Sequence, residues 1–387
     1  MNGRDIDLKQ AARVLIILCF GTLLPLSATP TLAGPLHTPQ KSLTVDPNLI
    51  LKPRAPGFSD GPLSKRALER AYSPEVKVQL EHFLTDKRED IRRAISLSTR
   101  YLDEILPILE RHGLPRELAY LCIIESGYRY QARSYAGAVG MWQMIRATSS
   151  RFGLRTNTWE DERLDFSRST DGAARFFRYL LALFEDWDHV LAAYNAGEGR
   201  VRHAIARARK RGLEPVMENL QLPRETKIYV PAFYAALLIA MEPERYGIFP
   251  DYHPPIDYLE VSVPGGVKLD AVANKLETDT EVLRTLNPSI RRDRIPPTGK
   301  TFTLRVPCYL DQEFVRTAAV GFSEVKWIEY RVKKGDTLWD ISRRFGVTTG
   351  MIDRVRSRRG RRTSLIYPGE ILLIPISAVN DIPGRFG

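Results

Sequence analysis

An apolar stretch in the first third of the chain runs directly into a single carboxylate. Residues 118–126 read LAYLCIIES, so only uncharged residues lead from Leu118 to Glu125. These residues leave almost no polar face, which predicts a helix that is buried on nearly all sides. Gly127 follows, and a glycine after an apolar helical run is typical of a helix end. The pattern therefore predicts that Glu125 lies in the last turn of a buried helix.

Helical periodicity predicts further elements on both sides of this stretch. Apolar side chains recur at every fourth position in residues 97–109, and an amphipathic helix is predicted over DGAARFFRYLLALFEDW. The segment VLAAYNAGEG ends an apolar run at Asn195, which predicts a helix end that exposes Tyr194 and Asn195. The last apolar helix has an uncharged run over residues 228–241, which is too short to cross a membrane and is expected to close the core.

Beyond Pro254 the pattern changes to short β segments around helices. Residues 259–286 align without gaps on residues 328–355, at an offset of 69. The apolar positions of the two copies coincide, which predicts two repeated small domains. Each copy is expected to contain a strand, a glycine turn, two helices and a closing strand. Thr337 is the predicted N-cap of a helix in the second copy, with Asp340 three residues later.

The N-terminus has the pattern of a secretory signal. Three basic residues precede an uncharged run over residues 14–33, and Thr31-Leu32-Ala33 offers a cleavage site. Residues 1–33 are therefore predicted to be a signal peptide that exports the chain to the periplasm or cell envelope. An uncleaved membrane anchor remains the alternative, although Pro25 and Pro30 weaken it. Six prolines in residues 34–64 predict an extended linker.

Length and charge narrow the class of protein. A chain of 387 residues is expected to form two or three domains. Its net charge of +11 suits an anionic polymer, which could be nucleic acid, a membrane surface or an acidic cell-wall glycan. Export disfavours nucleic acid as a partner, even for the arginine-rich residues 354–362. No cofactor or metal is expected, and Cys122 and Cys308 make no disulfide framework.

The predicted position of Glu125 indicates acid catalysis. Apolar surroundings and the negative end of the helix dipole both raise the pKa of this carboxyl. A carboxyl that stays protonated near neutral pH can protonate a glycosidic oxygen. The alternative is an ordinary solvated glutamate at a helix end. The sequence offers no obvious second carboxylate, but one acid suffices when the substrate supplies the nucleophile.

A second candidate segment is Gly140-Met141-Trp142-Gln143. The glycine permits close approach of a ligand to the backbone, and the apolar pair could form a wall of a cleft. The amide of Gln143 could hold a hydroxyl or acetamido group of a sugar. Taken alone, the segment is better explained by Met141 and Trp142 being core residues.

Four motifs in order and spacing resemble the lytic murein transglycosylases with a soluble-type catalytic domain. They are Glu125-Ser126, residues 140–143, AYNAG at 193–197 and ETKIYVP at 225–231. The resemblance covers about residues 69–247 and is strongest to the membrane-bound D type. It implies a lysozyme-like, mainly helical catalytic domain over residues 65–250, similar to goose-type lysozyme.

The resemblance also implies an activity and roles for the site residues. The enzyme would cleave the β-1,4 bond between N-acetylmuramic acid and N-acetylglucosamine and form 1,6-anhydromuramyl ends, with Glu125 acting first as acid and then as base. Tyr194 would hydrogen-bond either Glu125 or the acetamido group of the substrate. Ser126, Gln143, Asn195 and Tyr229 would position the glycan, with Gly140, Met141 and Trp142 also in contact with it.

The second repeat resembles the carbohydrate-binding LysM module, and the first is a degenerate copy that lacks the Gly-Asp-Thr turn. The modules are placed at residues 256–307 and 328–376. The resemblance implies that Gly335, Asp336, Thr337 and Leu338 bind N-acetylglucosamine residues of peptidoglycan. The predicted fold class is therefore α+β multidomain, with two βααβ modules after the helical domain. A lysozyme-type muramidase and a non-catalytic peptidoglycan-binding protein remain as alternatives.

Overall fold

The computed structural model describes residues 61–297, 301–320, 326–350, 352 and 365–376. The predicted signal or anchor, residues 34–60 of the predicted linker and the arginine-rich residues 354–362 lie outside the described residues. The chain divides into two units. The first, called the helical unit, contains the chain up to residue 156 together with residues 162–256, and the second contains residues 157–161 and the chain from residue 257 onward.

The helical unit is built from α-helices joined by short loops. Its helices are α1 (Pro62–Arg70), α2 (Pro74–Leu84), α3 (Arg88–Ser98), α4 (Leu102–Arg111), α5 (Leu121–Ser126), α6 (Arg146–Arg151), α7 (Phe166–Phe184), α8 (Trp187–Ala196), α9 (Glu198–Lys210) and α10 (Arg224–Met241). Short 3-10 helices cover Arg116–Tyr120, Glu162–Leu164, Met217–Asn219 and Pro243–Tyr246.

Helix α10 lies at the centre of the helical unit. It packs against α1, α2, α5 and α8 and is buried along most of its length. A helix that is apolar on nearly all sides is stable only in such a position. The prediction that this segment closes the core is therefore confirmed. Among the helices of the described residues, none combines the length and the apolarity that a membrane crossing requires.

The predicted helix over residues 118–126 is divided into two types of turn. The 3-10 helix Arg116–Tyr120 leads into α5, so the buried stretch begins with a tighter winding than an α-helix. Glu117 in the 3-10 helix is buried and accepts hydrogen bonds from the backbone nitrogen of Ser64, at 3.1 Å, and from its Oγ, at 2.8 Å. This carboxylate thereby holds the first turn of α1 against the segment that leads to Glu125.

The second unit contains two small modules with the same order of elements. In the first, β1 (Tyr258–Pro264) pairs antiparallel with β2 (Thr301–Pro307), and α11 (Leu269–Lys275) and α12 (Thr280–Leu286) lie between them in sequence. In the second, β3 (Lys326–Arg331) pairs antiparallel with β4 (Ile371–Ile376), and α14 (Leu338–Arg344) follows β3. The bounds of α11 and α14 differ by 69 residues, as the sequence repeat predicts.

Two features of these modules were not predicted from sequence. Helix α13 (Gln312–Val320) follows β2 and contributes Val315 and Ala318 to the apolar core of the first module. The predicted second helix of the second module lies mostly outside the described residues. The predicted N-cap is confirmed, because the Thr337 hydroxyl accepts a hydrogen bond from the backbone nitrogen of Asp340 at 3.1 Å.

Candidate active site

Glu125 lies in the last turn of α5, as the sequence predicts. Gly127 ends the helix in the left-handed region, with φ of 59°, and its nitrogen donates to the carbonyl of Ile123 at 3.0 Å. The Glu125 residue is only 5% exposed. Because α5 is only six residues long and its flanks are apolar, the carboxyl is held at the edge of the core where the chain turns away.

Burial raises the pKa of Glu125 to about 8, because the charged form loses its hydration. A hydrogen bond from Tyr229 acts in the opposite direction, and the charge of Glu225 adds a smaller upward shift. The predicted increase in pKa is therefore confirmed, with burial as its main cause. At neutral pH this carboxyl carries a proton that it can donate.

Tyr229 supplies the hydroxyl group that contacts the acid. It lies in α10, and its hydroxyl donates a hydrogen bond to Oε1 of Glu125. Burial raises the pKa of Tyr229 well above its ordinary value, so this hydroxyl remains a donor. The sequence placed Tyr229 in a motif but assigned it only to the glycan. Its contact with Glu125 joins two helices that are far apart in sequence, so no local sequence pattern predicts it.

The turn at residues 140–143 depends on its glycine. Gly140 has a φ of 85°, and a Cβ atom at this position would lie 1.8 Å from the carbonyl oxygen of Arg163. Gln143 also has a positive φ, of 46°, and its Nε2 donates to the carbonyl of Gly140 at 2.8 Å. The Gln143 amide therefore holds its own turn, and Gly140 is required for close backbone packing.

Met141 and Trp142 do not form a wall that a glycan could touch. Trp142 is 0% exposed and Met141 is 1% exposed, so both side chains belong to the core of the helical unit. The indole nitrogen of Trp142 donates to Oγ1 of Thr170 at 2.8 Å, which satisfies its polar atom inside the protein. The expectation of direct side-chain contact is corrected here. The backbone carbonyl of Met141 does contact a candidate site residue, because it accepts a hydrogen bond from Oγ of Ser126 at 2.9 Å.

Tyr194 is tied to the same turn. Its hydroxyl donates to the carbonyl of Trp142 at 2.7 Å, and its ring stacks on Phe177 at a centroid distance of 4.6 Å. One hydroxyl has one proton to donate, so Tyr194 does not donate to Glu125, which was one of its two expected partners, and Tyr229 does. Ser126 and Tyr194 together fix the backbone of residues 141 and 142 from both sides.

Asn195 ends α8 with its amide held in one orientation. Its Oδ1 accepts a hydrogen bond from Oγ1 of Thr226 at 2.9 Å. Its Nδ2 is shielded from solvent and has no hydrogen-bond partner among the described residues. Because Oδ1 of Asn195 accepts from Thr226, the orientation of the amide is fixed. Its Nδ2 is then the atom that can donate a hydrogen bond to another group. Thr226 was quoted in a sequence motif, but its role required the structure.

Family comparisons match this unit. The model "Transglycosylase SLT domain" matches residues 105–216, which include Glu125, residues 140–143, Tyr194 and Asn195. The helical unit contains a transglycosylase SLT domain. Thr226 and Tyr229 lie outside the matched range of this SLT domain, although their side chains contact residues inside it.

Curated relatives match this chain over part of its length. The chain is 30% identical over 287 residues to membrane-bound lytic murein transglycosylase D of Escherichia coli (strain K12), which covers 71% of this chain and 63% of the relative. It is 34% identical over 134 residues to membrane-bound lytic murein transglycosylase F 1 of Alkalilimnicola ehrlichii, which covers 31% of this chain and 26% of that relative. The chain thus spans less than two thirds of the length of either relative.

The regions after the SLT domain match two further models. Residues 258–319 match "Lytic transglycosylase MltD, LysM-like domain", a range that includes the unpredicted helix α13, and residues 330–375 match "LysM domain". The chain therefore has a helix-rich SLT domain followed by two LysM-type modules with small antiparallel sheets. Among the residues that the structure describes, no group of three or more His, Cys, Asp or Glu side chains could hold a metal ion.

The predicted glycan-binding residues of the second LysM module mainly shape its turn. Gly335 has a φ of 92°, and the Asp336 carboxylate accepts from the nitrogen of Lys333 at 2.8 Å and from the hydroxyl of Tyr330 at 2.6 Å. These hydrogen bonds lower the pKa of Asp336, so the turn is held by a charged carboxylate. Leu338 is buried in the core of the module, which corrects the expectation that its side chain faces a sugar.

Proposed function

We propose that this protein is an exported peptidoglycan lytic transglycosylase. It cleaves the β-1,4 bond between N-acetylmuramic acid and N-acetylglucosamine and leaves 1,6-anhydromuramyl ends. The observation that carries the proposal is the buried Glu125 carboxyl with its raised pKa and its hydrogen bond from Tyr229, inside an SLT domain.

In the first step Glu125 is the general acid. Its proton passes to the glycosidic oxygen, the bond from that oxygen to C1 of the muramyl residue breaks, and positive charge develops at C1. The acetamido group of the muramyl residue can stabilise this charge. Glu125 is left as a carboxylate, and the Tyr229 hydroxyl stabilises that negative charge by its hydrogen bond.

In the second step the same residue is the base. The carboxylate takes the proton of the muramyl 6-hydroxyl, and the oxygen attacks C1 to close the 1,6-anhydro ring. Glu125 is then protonated again, and no water is consumed. One residue can fill both roles because donating the first proton creates the base that the second step needs.

The other buried carboxylates of the helical unit support a single-acid mechanism. Among the described residues of this unit they are Glu117, Glu162, Asp165 and Asp188. Each has structural partners: Ser64 for Glu117, Arg155 and Arg168 for Glu162, backbone nitrogens of α7 for Asp165, and two arginines for Asp188. These partners explain why each of the four carboxylates is buried, so none of them needs a catalytic role.

The remaining features fit a cell-wall enzyme. The LysM-type modules would hold peptidoglycan strands, and the N-terminal pattern supports export to the periplasm, with anchoring to the membrane if the signal is not cleaved. The relatives are named as membrane-bound, which agrees with this location.

Digestion of purified sacculi by the full chain tests the proposal. Mass spectrometry of the released fragments should find muramyl ends that are lighter by one water than reducing ends. Reducing ends alone would instead identify a lysozyme-type hydrolase. Binding to sacculi without release of fragments would identify a non-catalytic wall-binding protein.

A further inference from the structure

The helical unit contains a cavity that the proposed reaction does not use. It has a volume of about 510 Å³, within the range of small-ligand sites. It is lined by α1, the end of α7, the start of α8, α9 and the loop around Val216. Four arginines line it together with three carboxylates, those of Asp186, Asp188 and Glu214. We call it the cationic cavity, and its defining residues are Arg66, Arg70, Asp188, Arg202, Arg209 and Val216.

One side of the cationic cavity is a closed ionic network. The Asp188 side chain is 2% exposed and accepts hydrogen bonds from the Tyr234 hydroxyl at 2.5 Å, from Nη2 of Arg66 at 3.2 Å and from Arg70. Arg66 also pairs with Asp186 at 3.2 Å. A buried carboxylate is tolerated only when it is paired in this way. Arg66 and Arg70 are therefore engaged with the protein and keep this side of the cavity fixed.

Helix α9 contributes two arginines whose side chains have no such partners. Arg202 and Arg209 are seven residues apart on α9, so they lie on the same face two turns apart, and both are exposed. Within the described residues, neither guanidinium group makes a hydrogen bond or an ion pair. Leu183 and Val216 add exposed apolar surface, at 37% and 46%. Guanidinium groups beside aliphatic surface suit a carboxylate on a short peptide, because arginine can bind it through two parallel hydrogen bonds.

Helix α8 runs from this cavity to Asn195, one of the candidate site residues. Asp188 lies at its first turn and lines the cavity, whereas Asn195 lies at its last turn. A ten-residue helix is about 15 Å long. An extended peptide of four or five residues spans about 13 to 18 Å. A peptide of this length therefore matches the length of α8, which separates the lining residue Asp188 from Asn195.

We propose that the cationic cavity binds a carboxylate of the peptide stem of a peptidoglycan strand whose sugars lie beside Glu125. The inference rests on the proposed function, which supplies a glycan that carries acidic peptides. It assigns Arg202 and Arg209 as the residues that distinguish a peptide-bearing strand from bare glycan.

Calorimetric titration of the full chain with a free tetrapeptide, L-Ala-γ-D-Glu-L-Lys-D-Ala, tests the binding. The same peptide with its carboxylates converted to amides is the matched ligand. The wild type should bind the acidic peptide at least about fivefold more tightly than the amide, as expected for charge-assisted hydrogen bonds. The double variant Arg202→Gln/Arg209→Gln should lose this difference. Lys210→Gln/Arg211→Gln, which removes two exposed charges at the C-terminus of α9 that do not line the cavity, should keep it.

Kinetics on two glycans complete the test. On peptide-bearing strands, Arg202→Gln/Arg209→Gln should raise KM about fivefold while kcat changes little, and on strands stripped of peptide KM should not change. Equal binding of both peptides, or equal KM changes on both glycans, would overturn the inference. If neither glycan is cleaved while the peptide difference is found, the proposed function fails and the acidic-peptide site stands.

Discussion

Tyr229 and Glu125 are 104 residues apart in sequence, yet the hydroxyl of the first donates directly to the carboxyl of the second. The contact brings α10, the central helix of the helical unit, onto the acid at the end of α5. It partly counters the effect of burial on the pKa of Glu125, and it leaves a donor in place for the charge that forms after proton transfer.

Removal of the acid should abolish turnover without unfolding the protein. Glu125→Gln keeps the shape and removes the transferable proton, so kcat on sacculi should fall by roughly three decades or more. Glycan binding should persist. Glu110→Gln removes an exposed carboxylate from the same unit and should retain activity. Near-native release of muropeptides by Glu125→Gln would refute the assignment.

The same variant should become more stable than the wild type as pH rises. The pKa of Glu125 is about 8 in the folded protein and 4.5 in the reference state, so between these values the unfolded chain loses its proton first. Rising pH therefore destabilises the wild type through this carboxyl, which Glu125→Gln lacks. The difference in the free energy of unfolding should grow by up to about 1.4 kcal/mol per pH unit across this window. Urea unfolding at several pH values measures this difference in the free energy of unfolding. A difference that does not change with pH would contradict the burial of this carboxyl.

Loss of the Tyr229 hydroxyl should shift the pH profile of the reaction. Because Glu125 must begin protonated, kcat/KM should fall above about pH 8 in the wild type. The hydrogen bond lowers the pKa of Glu125, so Tyr229→Phe should move this decline to higher pH and reduce kcat about tenfold.

Tyr234→Phe is the matched control for that experiment. It removes a buried hydroxyl from the same helix, but the hydroxyl contacts Asp188. Tyr234→Phe should lower the free energy of unfolding but should not shift the fall of kcat/KM at alkaline pH. An unshifted profile in Tyr229→Phe would mean that its hydrogen bond does not tune the acid.

Thr226 is expected to act through Asn195. Thr226→Val keeps the buried volume but removes the donor that fixes the amide oxygen. The freed amide can rotate, so KM should rise about tenfold with a smaller change in kcat. Thr226→Ser restores a hydroxyl and should recover most of the wild-type KM. A loss that serine does not rescue would point to packing instead of amide orientation.

Gly140 and Gly137 provide a matched pair of backbone tests. Both have positive φ, of 85° and 81°, but a Cβ at Gly140 would meet the Arg163 carbonyl at 1.8 Å while a Cβ at Gly137 meets no atom within 4 Å. Gly137→Ala should cost about 1 kcal/mol from φ alone. Gly140→Ala should cost at least about 2 kcal/mol and lower activity, because the turn must move. Equal costs in thermal or urea unfolding would contradict the close packing of this turn.

The features that were predicted correctly are those that depend on residues close together in the sequence. The apolar run before Glu125 and Gly127 after it were enough to predict a buried helix end and a raised pKa, because burial and helix termination both follow from neighbouring residues. The repeat offset of 69 placed α11 and α14 at equivalent positions for the same reason.

Contacts between distant segments could not be anticipated. The Tyr229–Glu125 and Thr226–Asn195 hydrogen bonds depend on how α10 packs, and no periodicity reports that. Apolar residues in the middle of a motif were also misjudged. The patterns around Trp142 and Leu338 are compatible with either a ligand wall or a core, and only the packed structure distinguishes the two.

The hydrogen bonds from Ser64 to Glu117 bear on how the protein withstands tension. Helix α1 is the first described element, so a pull on the chain that precedes it reaches the described fold through α1. Glu117 receives that force in the 3-10 turn before α5, at a buried carboxylate with two hydrogen bonds. These hydrogen bonds resist the pull in the 3-10 turn that precedes α5, so α5 is not the first element that such a pull would displace.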